Sequence, residues 1–130
     1  MITVDSVLVD TSLWIDFLAG HADAVRILAA LRRAHRPAIC GQIKQEVLQG
    51  ARHRSAFARL EREMAIWEYQ PEQPEDFVDA ARTYARLRWQ GVTVPPGDCL
   101  IAAVAKRCGM PVCATDPHFA EIPGLRLLDV

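Results

Sequence analysis

Apolar residues along the chain fall into short continuous runs that alternate with segments of helical periodicity. The continuous runs lack polar alternation, which is typical of strands buried on both faces. Strands are predicted at 7–9, 37–40, 111–115 and 125–128. In the intervening segments apolar residues recur every three or four positions, which predicts amphipathic helices. These helices are predicted at 13–18 (with Ser12 as N-cap), 23–33, 42–50, 54–66, 77–91 and 98–108.

The alternation of strands and helices indicates an α/β fold with a mainly parallel sheet covered on both faces. The sequence contains no internal repeat and no Gly/Ser-rich linker, and its prolines lie between the periodic segments. We therefore expect residues 1–130 to form a single domain.

Composition narrows the classes of function. The chain is 51% hydrophobic and 24% charged, as a folded globular protein is, and its formal net charge is -1. This charge balance makes a module that binds DNA by positive charge alone a poor candidate. The sequence has neither an apolar stretch of ~18 residues nor a basic segment of a secretory signal, so we expect a cytoplasmic protein without a membrane span.

Four acidic residues lie where they could carry chemistry. Asp10 follows the first predicted strand and Asp116 follows the strand that ends at Thr115, so both lie at carboxyl ends of strands, where α/β sheets bind ligands. Asp98 begins a helix, and Glu46 lies on a helix among apolar residues. Each acid also has an ordinary structural explanation: helix cap, turn residue or solvated charge.

If these acids converge, their mutual repulsion requires a divalent cation. Ligands that are all oxygen favour Mg²⁺ or Mn²⁺ over zinc, and such ions act mainly on phosphates. Other phosphate chemistries fit less well. A haloacid dehalogenase-type phosphatase needs a second Asp where this chain has Ser12, and the chain contains no glycine-rich nucleotide-binding loop.

Four segments together carry a family resemblance. They are Val-Leu-Val-Asp10-Thr11-Ser12, Glu46 within Ile-Lys-Gln-Glu-Val-Leu-Gln-Gly, Gly97-Asp98-Cys-Leu-Ile-Ala-Ala and Ala-Thr115-Asp116-Pro-His-Phe119. In their order and approximate spacing, over nearly the whole chain, they resemble the PIN-domain ribonucleases, in particular the VapC-type toxins of toxin–antitoxin pairs. The resemblance implies a three-layer α/β/α sandwich with a short, mainly parallel central sheet.

The resemblance also implies an Mg²⁺- or Mn²⁺-dependent endoribonuclease. Asp10, Asp98 and Asp116 would hold the metal, and Glu46 would complete the acidic cluster and help to orient the attacking water. The supporting polar groups would be Thr11, Ser12 and Thr115. One departure concerns His118, where many relatives carry another acid, and it leaves open whether a second metal binds.

The same resemblance implies partners: an RNA substrate, a second copy of the chain in a homodimer and a cognate antitoxin. Trp14 and Phe17 would line the antitoxin groove. Independently, a basic segment after Glu46 could guide an RNA backbone, although a solvated helix face would have the same composition. Its arginines are Arg52, Arg54, Arg59 and Arg62.

Two other functions remain open from the sequence. The same fold could serve as a non-catalytic module that binds RNA or protein. It could also be a small-molecule phosphohydrolase. Metal-dependent cleavage of RNA would distinguish the nuclease from both.

Overall fold

Parallel strands form a four-stranded sheet within residues 5–129, the part of the chain that the computed structural model describes. The strands are β1 (Asp5–Val9), β2 (His35–Cys40), β3 (Glu68–Gln70) and β4 (Val112–Cys113). They lie in the order β3-β2-β1-β4. The helices are α1 (Thr11–Leu18), α2 (Ala22–Ala34), α3 (Gly41–Gln49), α4 (Arg54–Met64), α5 (Pro74–Trp89) and α6 (Pro96–Cys108), followed by a 3₁₀ helix at Pro117–Glu121.

Strand β1 is central and is covered on both faces. Its last three residues, Val7, Leu8 and Val9, are all 0% exposed. Because successive side chains of a strand point to opposite faces, complete burial of three in a row requires a layer of structure on each side. The predicted α/β/α sandwich with a parallel sheet is therefore confirmed.

Five of the six helices begin one to three residues before their predicted starts, and two of these shifts concern predicted site residues. Helix α1 begins at Thr11 with Asp10 as its N-cap, so Ser12 lies in the first turn instead of capping it. Helix α6 begins at Pro96, before the predicted start at Asp98. Proline suits this first helical position because its missing N–H would have no partner inside the helix.

The edges of the sheet differ more from the prediction. Strand β3 was not predicted, and β4 has two residues instead of five. The strand predicted at 125–128 is wrong, since Leu127 forms only an isolated parallel bridge with Val112. The backbone continues this contact through the Leu128 N–H, which donates to the Val112 carbonyl over 2.9 Å.

An aromatic cluster formed by two side chains of α1 and by Trp67 lies at the core. Trp14 is 0% exposed, and its ring centroid is 4.8 Å from that of Trp67 and 6.0 Å from that of Phe17. The expectation that Trp14 lines an open groove is therefore wrong, whereas Phe17 is half-buried. Among the helices of residues 5–129, none has the length and apolar character that a membrane crossing requires.

Candidate active site

Asp10 lies at the carboxyl end of β1, where it also caps α1. The residue is 3% exposed, and its backbone N–H donates to the Cys113 carbonyl over 2.9 Å, which ties the ends of β1 and β4 together. The Ser12 hydroxyl donates to Asp10 Oδ2 over 2.6 Å. Burial raises the pKa of Asp10, and the hydrogen bond from Ser12 opposes this rise. The strand end and the first turn of α1 thus fix the direction of this carboxylate.

Asp98 lies in the first turn of α6 and is 9% exposed. Its Oδ2 is buried and has no hydrogen-bond partner among residues 5–129. Burial raises the pKa of Asp98 to about 7, and neighbouring carboxylates add to the rise. These neighbours are, in order of effect, Asp10, Asp116 and Glu46. A buried carboxylate oxygen surrounded by like charge is costly unless a cation or a proton neutralises it.

Glu46 reaches the cluster from α3. The Thr11 hydroxyl donates to Glu46 Oε1 over 3.2 Å and so links the start of α1 to the middle of α3. Gly97 permits α6 to come close: a Cβ on Gly97 would lie 2.8 Å from Gln42 Nε2 and 3.5 Å from Glu46 Oε1. Because Gly97 has no side chain, the amino end of α6 packs closely against Gln42 and Glu46 of α3.

Asp116 and His118 close the cluster on the β4 side. Asp116 caps the 3₁₀ helix, and its Oδ1 accepts a hydrogen bond from the His118 N–H over 2.9 Å. The His118 ring folds back, with Nδ1 2.7 Å from Asp116 Oδ1 and 3.9 Å from Asp98 Oδ2. His118 was not among the predicted site residues. The sequence carried a signal for it, because His118 stands where many relatives of the resembled family have another acid.

These residues suit a divalent cation. Asp98, Asp116 and His118 each offer one ligand atom, and these three atoms lie within 4.8 Å of one another. The buried, unpartnered Oδ2 of Asp98 is the kind of donor that a bound ion would satisfy. Carboxylate oxygens are ligands that Mg²⁺ and Mn²⁺ accept, so the donor chemistry fits the cation that the sequence predicts.

The other predicted site residues lie in different environments, and contacts with the cluster are seen for Thr11 and Ser12. Thr11 is buried, and Ser12 is exposed apart from its hydrogen bond to Asp10. Thr115 is exposed. The four arginines predicted to guide RNA are all exposed, in the loop before α4 and along that helix: Arg52, Arg54, Arg59 and Arg62.

Comparison with known proteins gives consistent matches. Residues 7–125 match the PIN domain. The chain is 35% identical over 121 residues to a VapC ribonuclease of Mycobacterium bovis, and the alignment covers 89% of this chain and 90% of that protein.

Solved structures share the fold. A chain of the VapBC2 complex of Rickettsia felis superposes with a TM-score of 0.80 at 17% identity, over 95% of this chain and 98% of that one. A chain of a toxin–antitoxin complex from Klebsiella pneumoniae gives 0.70 at 26% identity, over 92% and 95%. The family match over residues 7–125 and the mycobacterial relative establish that the chain belongs to the PIN domain family, among its VapC-type proteins.

Proposed function

We propose that the protein is an Mg²⁺- or Mn²⁺-dependent endoribonuclease and the toxin of a toxin–antitoxin pair. The observation that carries this proposal is the convergence of three carboxylates, those of Asp10, Asp116 and Glu46, on the buried, unpartnered Oδ2 of Asp98. Such a cluster favours binding of a cation, which offsets the mutual repulsion of the carboxylates. The name of the mycobacterial relative, a VapC ribonuclease, supports RNA as the substrate.

Each of the predicted site residues has a role in this proposal. Asp10, Asp98 and Asp116 hold the divalent ion, which would offset phosphate charge and lower the pKa of water for attack on a phosphodiester. Glu46 orients the attacking water and accepts its proton. Thr11 fixes the Glu46 carboxylate through its hydroxyl. Thr115, directly before Asp116, is assigned a supporting polar role.

Ser12 has the same supporting role for Asp10, because its hydroxyl occupies one lone pair of Oδ2. The exposed arginines Arg52, Arg54, Arg59 and Arg62 contact the phosphates on either side of the scissile bond. Guanidinium groups suit this role because they bind phosphate through two parallel hydrogen bonds. An RNA substrate also implies that the protein acts in the cytoplasm.

A cognate antitoxin restrains the enzyme. The chain from Klebsiella pneumoniae belongs to a toxin–antitoxin complex, which supports this partner. A groove of about 400 Å³ between α1 and the α3–α4 pair offers a docking face. Its apolar walls include Ile15, Leu18 and Leu60, and Ile15 is 45% exposed. Arg52 and Arg59 at its edge could bind acidic groups of the antitoxin as well as RNA.

The protein acts as a homodimer through α5. Phe77 and Val78 are each 57% exposed on this helix, and Phe77 lines a groove of about 410 Å³ that extends to Gly97 on α6. Because Gly97 precedes Asp98, a partner bound here would border the acidic cluster. Light scattering should give twice the monomer mass for the wild type and a monomer for Phe77→Arg.

Cleavage of total cellular RNA tests the nuclease. The purified chain should give discrete fragments with Mg²⁺ or Mn²⁺ and none with EDTA. Asp98→Asn should lose cleavage at least a hundredfold, because it removes a metal-binding charge. Asp23→Asn is the matched control and should cleave as the wild type does, since the Asp23 carboxylate is 85% exposed and pairs with Arg26.

Three outcomes would contradict the proposal of a metal-dependent nuclease. Full activity in Asp98→Asn or in EDTA would exclude the metal site. RNA binding without any product would favour the non-catalytic module, and release of phosphate from simple phosphomonoesters would favour the phosphohydrolase. The toxin role is tested separately by induced expression in a bacterial host, which should arrest growth with the wild type but not with equal amounts of Asp98→Asn.

A further inference from the structure

His118 occupies a place in the acidic cluster that core packing does not explain. Its side chain is 45% exposed, so the ring does not belong to the hydrophobic core. The adjacent Phe119 is 1% exposed and anchors the 3₁₀ helix, and the His118 N–H is bound to Asp116 Oδ1. These two anchors hold the backbone so that Nδ1 of the imidazole faces the carboxylates while the rest of the ring stays partly exposed.

The ring presents a nitrogen to the same point as two carboxylate oxygens. Nδ1 of His118, an Asp98 oxygen and an Asp116 oxygen lie mutually within 4.8 Å, which is close enough for all three to bind one ion. His118 Nδ1 lies 2.7 Å from Asp116 Oδ1 and 3.9 Å from the buried Asp98 Oδ2. The set is therefore two oxygens and one nitrogen rather than oxygen alone.

We infer that His118 is a metal ligand and that this nitrogen makes the site prefer Mn²⁺ over Mg²⁺. Imidazole nitrogen binds first-row transition metals well, whereas Mg²⁺ prefers oxygen and dehydrates reluctantly. The inference rests on the acidic metal site of the proposed function. It goes further by assigning a ligand and a metal preference that the carboxylates alone do not give.

The same geometry has one competing explanation. A protonated His118 could act as an internal counter-ion that neutralises Asp116 and Asp98 without any metal. The two explanations predict opposite effects of removing the ring. Loss of a ligand weakens Mn²⁺ binding, whereas loss of an internal cation leaves the acids freer and strengthens it.

The test is an Mn²⁺ titration of the purified full-length chain, followed by electron paramagnetic resonance of free Mn²⁺. His118→Ala should weaken Mn²⁺ binding about tenfold or more and change Mg²⁺ competition much less. His118→Asp should recover Mg²⁺ binding, because it restores an oxygen donor. His21→Ala is the matched control, since this histidine lies outside the cluster and its side chain is 65% exposed.

Pulsed resonance of the Mn²⁺-loaded protein adds a readout that does not depend on activity. Nitrogen-14 modulation from a directly bound imidazole should appear in the wild type and in His21→Ala and disappear in His118→Ala. Mn²⁺ binding that is lost in Asp98→Asn but unchanged or tighter in His118→Ala would overturn the role of His118 and leave the metal site intact. Absence of Mn²⁺ binding by the wild type would overturn both proposals.

Discussion

Thr11, the first residue of α1, positions the Glu46 carboxylate on α3. It is 8% exposed, and its hydroxyl donates to Glu46 Oε1 over 3.2 Å. Thr11→Val keeps the shape of the side chain but leaves Glu46 without this donor. We expect kcat for RNA cleavage to fall about fivefold, which corresponds to one hydrogen bond of ~1 kcal/mol.

Thr11→Ser is the control for this prediction, because it restores the hydroxyl while removing the methyl group. It should recover most of the lost kcat, and the melting temperatures of both variants should stay close to that of the wild type. Equal activity of Thr11→Val and the wild type would show that the hydroxyl does not position Glu46. Equal losses in Thr11→Val and Thr11→Ser would assign the effect to packing.

The identity of the clustered acids could be predicted from sequence, but their contacts could not. Asp10 and Asp116 follow apolar strands, and parallel strands bring their carboxyl ends to one edge, so the sequence predicts that these acids lie close together. The Thr11–Glu46 hydrogen bond joins residues 35 positions apart, and no local pattern encodes it. The catalytic roles of the acids stay predictions that the RNA cleavage experiment tests.

At the scale of the element, the start of α3 is held by a carboxylate from a distant loop. Glu72 accepts hydrogen bonds from the backbone N–H groups of Gly41 and Gln42, over 2.9 and 2.7 Å. A negative group at this position satisfies donors that have no partner inside the helix and complements the helix dipole. A Cβ on Gly41 would lie 2.6 Å from Glu72 Oε1.

Gly41→Ala should therefore displace the Glu72 carboxylate and lower the free energy of unfolding by ~1–2 kcal/mol, the usual cost of a lost cap. Urea denaturation measures this change. Gly50→Ala, at the other end of α3, is the control: its Cβ would meet the Val47 carbonyl at an ordinary 3.5 Å. This variant should be neutral or slightly more stable than the wild type, because alanine restricts the unfolded chain. Equal effects of the two substitutions would contradict the prediction.

Elements with a strong periodic signal were predicted well, and the sheet edges were not. Strand β3 has the three residues Glu68–Gln70, too few for an apolar period, and it pairs on one side only, with β2. The segment 125–128 has the apolar composition of a strand, yet only Leu127 forms a bridge with the sheet. Whether such a short segment pairs depends on the tertiary structure around it.

At the scale of the whole molecule, the thiols at the strand ends make stability sensitive to alkali. Burial raises the pKa of Cys40 to about 12 and that of Cys113 to about 11. An unfolded chain loses these protons near pH ~8.5. Above this pH the unfolded state binds fewer protons than the folded state, so the free energy of unfolding falls as pH rises toward the folded pKa.

For Cys40 the decline is at most ~1.4 kcal/mol per pH unit. Urea denaturation between pH 7.5 and 10 should therefore show a flat region followed by a fall. Cys40→Ala should have a lower free energy of unfolding at pH 7.5, because the variant loses a buried side-chain atom. Above pH 9 its free energy of unfolding should fall less steeply, because one titrating group is gone. A Cys40→Ala curve parallel to that of the wild type would contradict this assignment.

The distribution of charge over the molecule predicts how RNA binding depends on salt. The net charge is only -1, so affinity for RNA must come from local cations. Arg52 and Arg59 line the groove between α1 and the α3–α4 pair. Arg36 lies at the amino end of β2, at the edge of the sheet opposite the one that carries Asp10. Binding is measured with Asp98→Asn, which should bind RNA without cleaving it.

In that background, Arg52→Ala and Arg59→Ala should each weaken RNA binding, and each should reduce the slope of log K against log salt by about 0.7 to 1. This is the change that loss of one phosphate contact produces, because one fewer counterion is released. Arg36→Ala removes the same charge from the opposite edge and should leave the slope unchanged. If all three variants changed the slope equally, the effect would reflect total charge, and the arginines beside α4 would have no special role in guiding RNA to the carboxylates.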